Sequence, residues 1–249
     1  MSARLSRGSG PARIGTGGVW VEIGHAPVVS RFRTTTIAIG DAQIATVEHL
    51  YAAFAGLGVR EGVDVEVIGG ALPLLDGGAA RFADAIAALE PPTSPPALRV
   101  VKDATLELGV ARATFARASA VTVRARLVGL GSALDADAVW HGDAREFRER
   151  VAPARTFLVA DDADAMLAAG MSFGVSPDSV VVVDREGGVF ATGDVARDEP
   201  ARHKLLDLIG DLYAWGGPPI GEVLVERPGH AVNHAIVERA LAEGILAPS

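Results

Sequence analysis

The sequence predicts an α+β protein built from two similar units packed together. Three observations predict it. Short runs rich in β-branched residues alternate with longer segments of helical periodicity. The order strands, helix, strand, helix occurs twice. The stretch Pro91-Pro-Thr-Ser-Pro-Pro96 separates the two occurrences. Proline lacks a backbone N–H and fixes φ, so such a stretch neither propagates a helix nor pairs as a central strand. The predicted domains are therefore 1–92 and 97–249.

In the first unit, 19–23 and 31–39 are predicted strands because β-branched residues dominate them. The segment 44–57 is a predicted helix, stopped by Gly56-Leu-Gly58. Residues 63–68 alternate as a half-buried strand does, and 81–89 form a helix preceded by the turn Asp76-Gly-Gly78. In the second unit, 98–108, 113–115 and 121–127 read as a meander of strands. A short charged helix follows over 143–151. Then come a strand at 156–159, a helix at 162–169 and a valine-rich strand at 180–184. The helix at 201–215 has Pro200 placed for its first turn. A strand at 223–227 and a helix at 231–242 complete the unit.

Composition narrows the function classes. A chain of 249 residues with 49% hydrophobic and 22% charged residues buries a sizeable core and is not disordered. A net charge of −8 disfavours a nucleic-acid binder, which would carry a basic face. The absence of cysteine excludes disulfides, thiolate metal sites and cysteine nucleophiles, so any transition metal must sit on His, Asp or Glu. No apolar run is long enough to span a bilayer, and the first residues lack the apolar core of a signal peptide. The expectation is a cytoplasmic protein with no membrane insertion.

Two segments more than 150 residues apart carry the chemistry: Thr46-Val-Glu-His-Leu50 and Arg202-His-Lys-Leu-Leu-Asp-Leu-Ile-Gly-Asp-Leu212. On the second, His203 and Asp207 lie four residues apart and share a helix face, which Asp211 extends by one turn. With His49 they would make a His/His/Asp set that leaves a position open for water. Glu48 diverges from His49 by about 100° around a helix axis, so it would reach that water rather than the metal. Taken alone, each segment also fits surface ion pairs or helix-end hydrogen bonds. His230 sits where a strand turns into a helix, as a general acid, an oxyanion stabiliser or a structural hydrogen-bonding residue. Lys204 would point elsewhere on its helix, either to a phosphate or carbonyl or to solvent. His25, His141 and His234 read as surface or structural.

These motifs, with Leu75-Asp-Gly-Gly-Ala-Ala80, Ala154-Arg-Thr-Phe157 and Gly229-His-Ala-x-Asn233, occur in one order from Thr34 to Leu241. In this the chain resembles the UDP-3-O-acyl-N-acetylglucosamine deacetylase family, zinc amidases of lipid A biosynthesis. The resemblance implies two domains with helical layers face to face and the active site at their interface. It implies zinc, with iron(II) also suited to these donors, on His49, His203 and Asp207. Glu48 would be the general base and His230 the general acid, oriented by Asp211, and Thr156 would polarise the scissile carbonyl. Lys204, Phe157 and Arg227 would bind an acylated nucleotide sugar, with Arg202 a further basic candidate. An acyl passage would form over about 154–180. The acting unit is expected to be a monomer.

The chain departs from the family pattern on the substrate side. The region before Thr34 is short, the Phe-Asn-His-Pro stretch is replaced by Leu127-Val-Gly-Leu-Gly131, and Asn-Asn-Lys after the last histidine appears as Asn233-His-Ala235. Two alternatives stand beside the deacetylase. One is a paralogue with the same amidase chemistry on another N-acyl substrate. The other is a catalytically silent homologue, which would have no reason to keep base, ligands and acid together.

Overall fold

The computed structural model describes residues 1–131, 134–161, 177–186, 188–190 and 194–249. The first half contributes strands Ser2–Pro11 (β1), Arg13–Thr16 (β2), Val19–Glu22 (β3), Val28–Ser30 (β4), Thr36–Ile39 (β5) and Ala42–Ile44 (β6). Helix Glu48–Gly56 (α1), strand Glu61–Ile68 (β7) and helix Ala80–Ala87 (α2) follow. A four-stranded sheet has the order β1-β7-β2-β3, and β4-β5-β6 form a smaller one. Val63, Val65 and Val67 of β7 alternate inward, as a sheet with one covered face requires.

The second half begins with Leu98–Val100 (β8), Ala104–Leu108 (β9), Ala111–Ala116 (β10), Val121–Leu127 (β11) and Ala136–Trp140 (β12). A single turn, Ala144–Glu146 (α3), passes into a π-helical turn at Phe147–Val151. Strands Thr156–Val159 (β13), Val180–Val183 (β14) and Val189–Phe190 (β15) come next. Helix Glu199–Tyr213 (α4), strand Gly221–Glu226 (β16), helix His230–Ala242 (α5) and strand Leu246–Pro248 (β17) close the chain. The main sheet runs β12-β11-β16-β10-β9, antiparallel except for the β11–β16 pair.

Helix α4 is the pivot. One side packs on β11 and β12 and the other on α1, so it is buried along almost its whole length. Helix α1 is buried at every residue. One hydrophobic cluster draws side chains from both halves, among them Phe54 and Phe82 from the first and Phe115 and Phe147 from the second. No helix among the described residues is long and apolar enough to cross a membrane.

Several boundaries differ from the sequence expectation. The predicted strand 31–39 is broken: Arg33 has φ of 62°, and pairing resumes only at Thr36. The predicted helix 44–57 starts later, because Ile44 belongs to β6 and Thr46 has φ of 62°. The first strand was not legible because Ser2–Pro11 is Ser-, Gly- and Arg-rich and lies at a sheet edge with little to bury. The span 98–108 divides into β8 and β9, and β12 is an alanine-containing strand of weak propensity. Residue 143 is the N-cap rather than a helical residue, its carboxylate accepting from Glu146 N at 2.7 Å. The predicted helix 162–169 lies outside the described residues.

Gly210 sets the α1–α4 distance. A Cβ placed there would stand 2.1 Å from the Glu48 carbonyl oxygen, where no side chain fits without moving a helix. Gly210→Ala should therefore destabilise the fold by about 2 kcal/mol, despite alanine's better helix propensity. Urea unfolding of the variant measures this, and unchanged stability would show that the helices yield easily.

Candidate active site

The two helices converge on a cleft of about 720 Å³. Its walls include Glu48, His49, Thr156, Phe157, His203, Lys204, Asp207, Arg227 and His230. Every predicted site residue except Asp211 and the further basic candidate Arg202 lines it, and Asp211 stands fully buried directly behind His230. Arg202 does not line the cleft. It pairs with Asp198 at 3.1 Å and donates to the Arg150 carbonyl at 2.9 Å.

His49, His203 and Asp207 offer ligand atoms that all lie within 4.8 Å of one another. Asp207 Oδ1 is 3.6 Å from His49 Nε2 and 3.4 Å from His203 Nε2. That oxygen is buried and has no hydrogen-bond partner among the described residues. An orphaned carboxylate oxygen between two imidazole nitrogens fits a divalent cation. The other oxygen is already committed, since Lys204 Nζ donates to Oδ2 at 2.8 Å. Lys204 thus does not point away from the ligand set: it reaches forward one turn to Asp207, its ammonium also lying 5.4 Å from the Phe157 ring centroid.

Protonation states agree with cation binding. Burial pushes the His203 imidazole down to about 4, with His49 and Lys204 adding to the effect against Asp207. A neutral imidazole is the form that binds metal. His203 Nδ1–H donates to the Ala154 carbonyl at 3.1 Å, which fixes the tautomer and leaves Nε2 facing Asp207.

Glu48 opens α1, where the helix dipole favours a negative charge. It accepts from the Thr34 hydroxyl at 2.8 and 3.0 Å and from Thr35 N–H at 2.9 Å. These donors come from the broken segment between β4 and β5. Thr46, Arg33 and Arg227 all hold positive φ and all line the cleft. Non-glycine residues in that region cost on the order of 1–3 kcal/mol each and gather at functional sites.

His230 is the first residue of α5, with Gly229 as its extended N-cap. Its Nδ1 lies 2.9 Å from Asp211 Oδ2, and its Nε2 lies 3.9 Å from Asp207 Oδ2. Burial opposes the imidazolium, but Asp211 and Asp207 outweigh it and push His230 up to about 10. Asp211 itself is held well below the usual carboxylate range: burial opposes this, but His230 and His234 prevail. It collects donors from Thr35 Oγ1 at 2.6 Å, Asn233 Nδ2 at 2.8 Å and His230.

Sequence reasoning missed part of this shell. His25 is exposed and His141 is an exposed partner of Glu146, as expected, but His234 is fully buried 3.2 Å from Asp211 Oδ1. The signal was its i,i+4 spacing from His230. The Leu75-Asp-Gly-Gly turn proves to be a clamp. A Cβ on Gly77 would meet the Ser179 carbonyl oxygen at 1.8 Å and one on Gly78 the Ala152 carbonyl oxygen at 2.4 Å. The Gly77 carbonyl accepts from Thr156 N–H at 2.8 Å, so the turn positions β13 at its cleft end.

The sequence profile of the family described as UDP-3-O-acyl N-acetylglycosamine deacetylase matches residues 13–242. A protein named UDP-3-O-acyl-N-acetylglucosamine deacetylase from Anaeromyxobacter dehalogenans is 35% identical over 234 residues, covering 91% of this chain and 74% of the relative. Relatives of the same name from Pseudomonas entomophila and Myxococcus xanthus are 32% and 33% identical, over 94% and 87% of this chain and 82% and 70% of their own.

An imidazole whose folded value lies above its unfolded 6.5 binds its proton more tightly in the native state. His230 therefore stabilises the fold fully below pH 6.5, and the contribution fades as pH rises to about 10. Urea melts of metal-free protein should lose stability across that window, while His230→Gln should flatten the slope there. An equal slope in both proteins would contradict the assignment.

Proposed function

The chain belongs to the UDP-3-O-acyl-N-acetylglucosamine deacetylase family, and from that premise we propose how its residues remove the N-acetyl group of UDP-3-O-acyl-N-acetylglucosamine. The chain is a deacetylase, an enzyme that hydrolyses a linear amide in lipid A biosynthesis. The observation that carries the site assignment is the buried, unpartnered Asp207 Oδ1 between the two histidine nitrogens.

His49, His203 and Asp207 would hold a zinc ion, and iron(II) suits the same donors. When bound, the ion supplies Lewis acidity, which lowers the pKa of a water to about 7 and polarises the amide carbonyl. Glu48, steadied by Thr34 and Thr35, takes the proton of the attacking water as its oxygen bonds to the acetyl carbon. The Thr156 hydroxyl donates to the developing oxyanion, where one well-placed donor is worth on the order of 3 kcal/mol. The C–N bond then breaks, the amine takes its proton from His230 Nε2, and acetate leaves. His230 Nδ1–H stays on Asp211 throughout, so the ring keeps its orientation.

Binding falls to the rest of the cleft. Lys204 and Arg227 supply cations for the substrate's anionic groups. Phe157, Leu158, Leu127 and Leu130 give an apolar wall that suits an acyl chain. Of the acyl passage expected over 154–180, residues 162–176 lie outside the described residues. The relatives' shared name favours the nucleotide-linked sugar over another N-acyl substrate. Because one chain supplies base, acid and all three ligands, we take the monomer as the acting unit, and a nucleotide-sugar substrate favours the cytoplasm.

Purified, zinc-loaded protein should release acetate from UDP-3-O-acyl-N-acetylglucosamine. Glu48→Gln should lower kcat by about 10²- to 10⁴-fold while still holding one zinc. His203→Ala should lose both zinc and turnover. Full activity in Glu48→Gln would remove the base assignment, and no acetate from wild-type protein that holds zinc would remove the substrate.

A further inference from the structure

Behind His230 lies a line of hydrogen bonds that the reaction above leaves unexplained. Trp215 Nε1 is 2.8 Å from His234 Nδ1. An indole N–H only donates, so His234 Nδ1 must accept, and the ring carries its proton on Nε2. That Nε2 is 2.9 Å from Thr35 Oγ1 and, at the longer distance of 3.2 Å, faces Asp211 Oδ1, while Thr35 Oγ1 is 2.6 Å from the same Oδ1. Thr35, His234 and Asp211 are all fully buried, so no bulk water substitutes for a misdirected donor. With Nε2–H donating to Thr35 Oγ1, the threonine's own proton is left for Asp211. Three groups from three parts of the chain therefore donate in one direction, from Trp215 towards the carboxylate.

The opposite tautomer would reverse this. A proton on Nδ1 would face the indole N–H, and a bare Nε2 would compete with Asp211 for the Thr35 proton. Asp211 Oδ1 would then lose its short donor and become a rival acceptor for His230 Nδ1–H.

We propose that His234 is a positioning residue, locked by Trp215 in the Nε2–H tautomer so that Thr35 saturates Asp211 Oδ1 and leaves Oδ2 to hold His230. The proposal rests on His230 being the acid of the deacetylation. Its distinguishing content is that the indole N–H, on a residue that does not line the cleft, decides where the Thr35 proton points.

Imidazole tautomers are read directly from long-range ¹H–¹⁵N correlations on the ¹⁵N-labelled, zinc-loaded protein, with no turnover required. Wild-type His234 should show a protonated Nε2 and a bare Nδ1. Trp215→Phe should lose that clear distinction and lower kcat about 3- to 10-fold at unchanged KM, the size of one hydrogen bond's contribution. His234→Gln, which can place an N–H where Nε2–H stands, should stay within about 3-fold of wild type, while His234→Leu should fall about 10-fold or more. Circular dichroism checks that each variant is folded. A proton on Nδ1 in wild type would overturn the proposal. So would full kcat in a Trp215→Phe protein whose tautomer has changed, or equal loss in the Gln and Leu variants. A wild-type protein without turnover would fail the deacetylase reading alone, because the tautomer measurement stands apart from it.

Discussion

Where α4 crosses α1, the Gly210 position leaves no room for a side chain, and the rest of the site follows from that contact. The crossing brings the first turn of α1, with Glu48 and His49, against the helix face that carries His203, Asp207 and Asp211. It also forces α4 between another helix and a sheet, which buries two aspartates. An uncompensated buried carboxylate costs several kcal/mol, so each must be surrounded by donors or cations. Lys204, His230, Asn233 and Thr35 meet that demand for all but one carboxylate oxygen. The remaining one, Asp207 Oδ1, is the oxygen that faces both histidines.

The metal-type triad was legible because helical spacing alone places His203 and Asp207 on one face, and the ordered motifs supplied His49. Helices α4 and α5 and strand β13 were likewise visible as periodic or β-branched runs. The supporting groups were not. Thr35 seemed to lie within a continuous strand over 31–39, and only the left-handed backbone at Arg33 turns it toward Glu48 and Asp211. His234 looked solitary because its partners, Trp215 and Thr35, are distant in the chain and meet it only after α4 and α5 have packed. The bond from Lys204 to Asp207 was not legible, because spacing gives the direction of a side chain but not how far a flexible one reaches along its helix.

The glycine-rich turn before α2 shows a different limit. Its composition announced a tight bend, and Gly77 does hold φ of 83°, yet both glycines are also required across the molecule, by the carbonyls of Ser179 and Ala152. A glycine demanded by a distant backbone is indistinguishable in sequence from one demanded by its own turn. The same contact explains how Thr156 is held by the first half of the chain, although it belongs to the second.

Thr35 joins the two groups we propose for opposite proton duties. Its main-chain N–H holds Glu48 and its hydroxyl holds Asp211, which in turn holds His230. Glu48 and His230, the proposed base and acid, are thus anchored through a single residue. They are thermodynamically coupled, and substitutions on the two sides will not sum as independent perturbations do. For the evolution of this chain, drift at one end of the cleft constrains what the other end can tolerate.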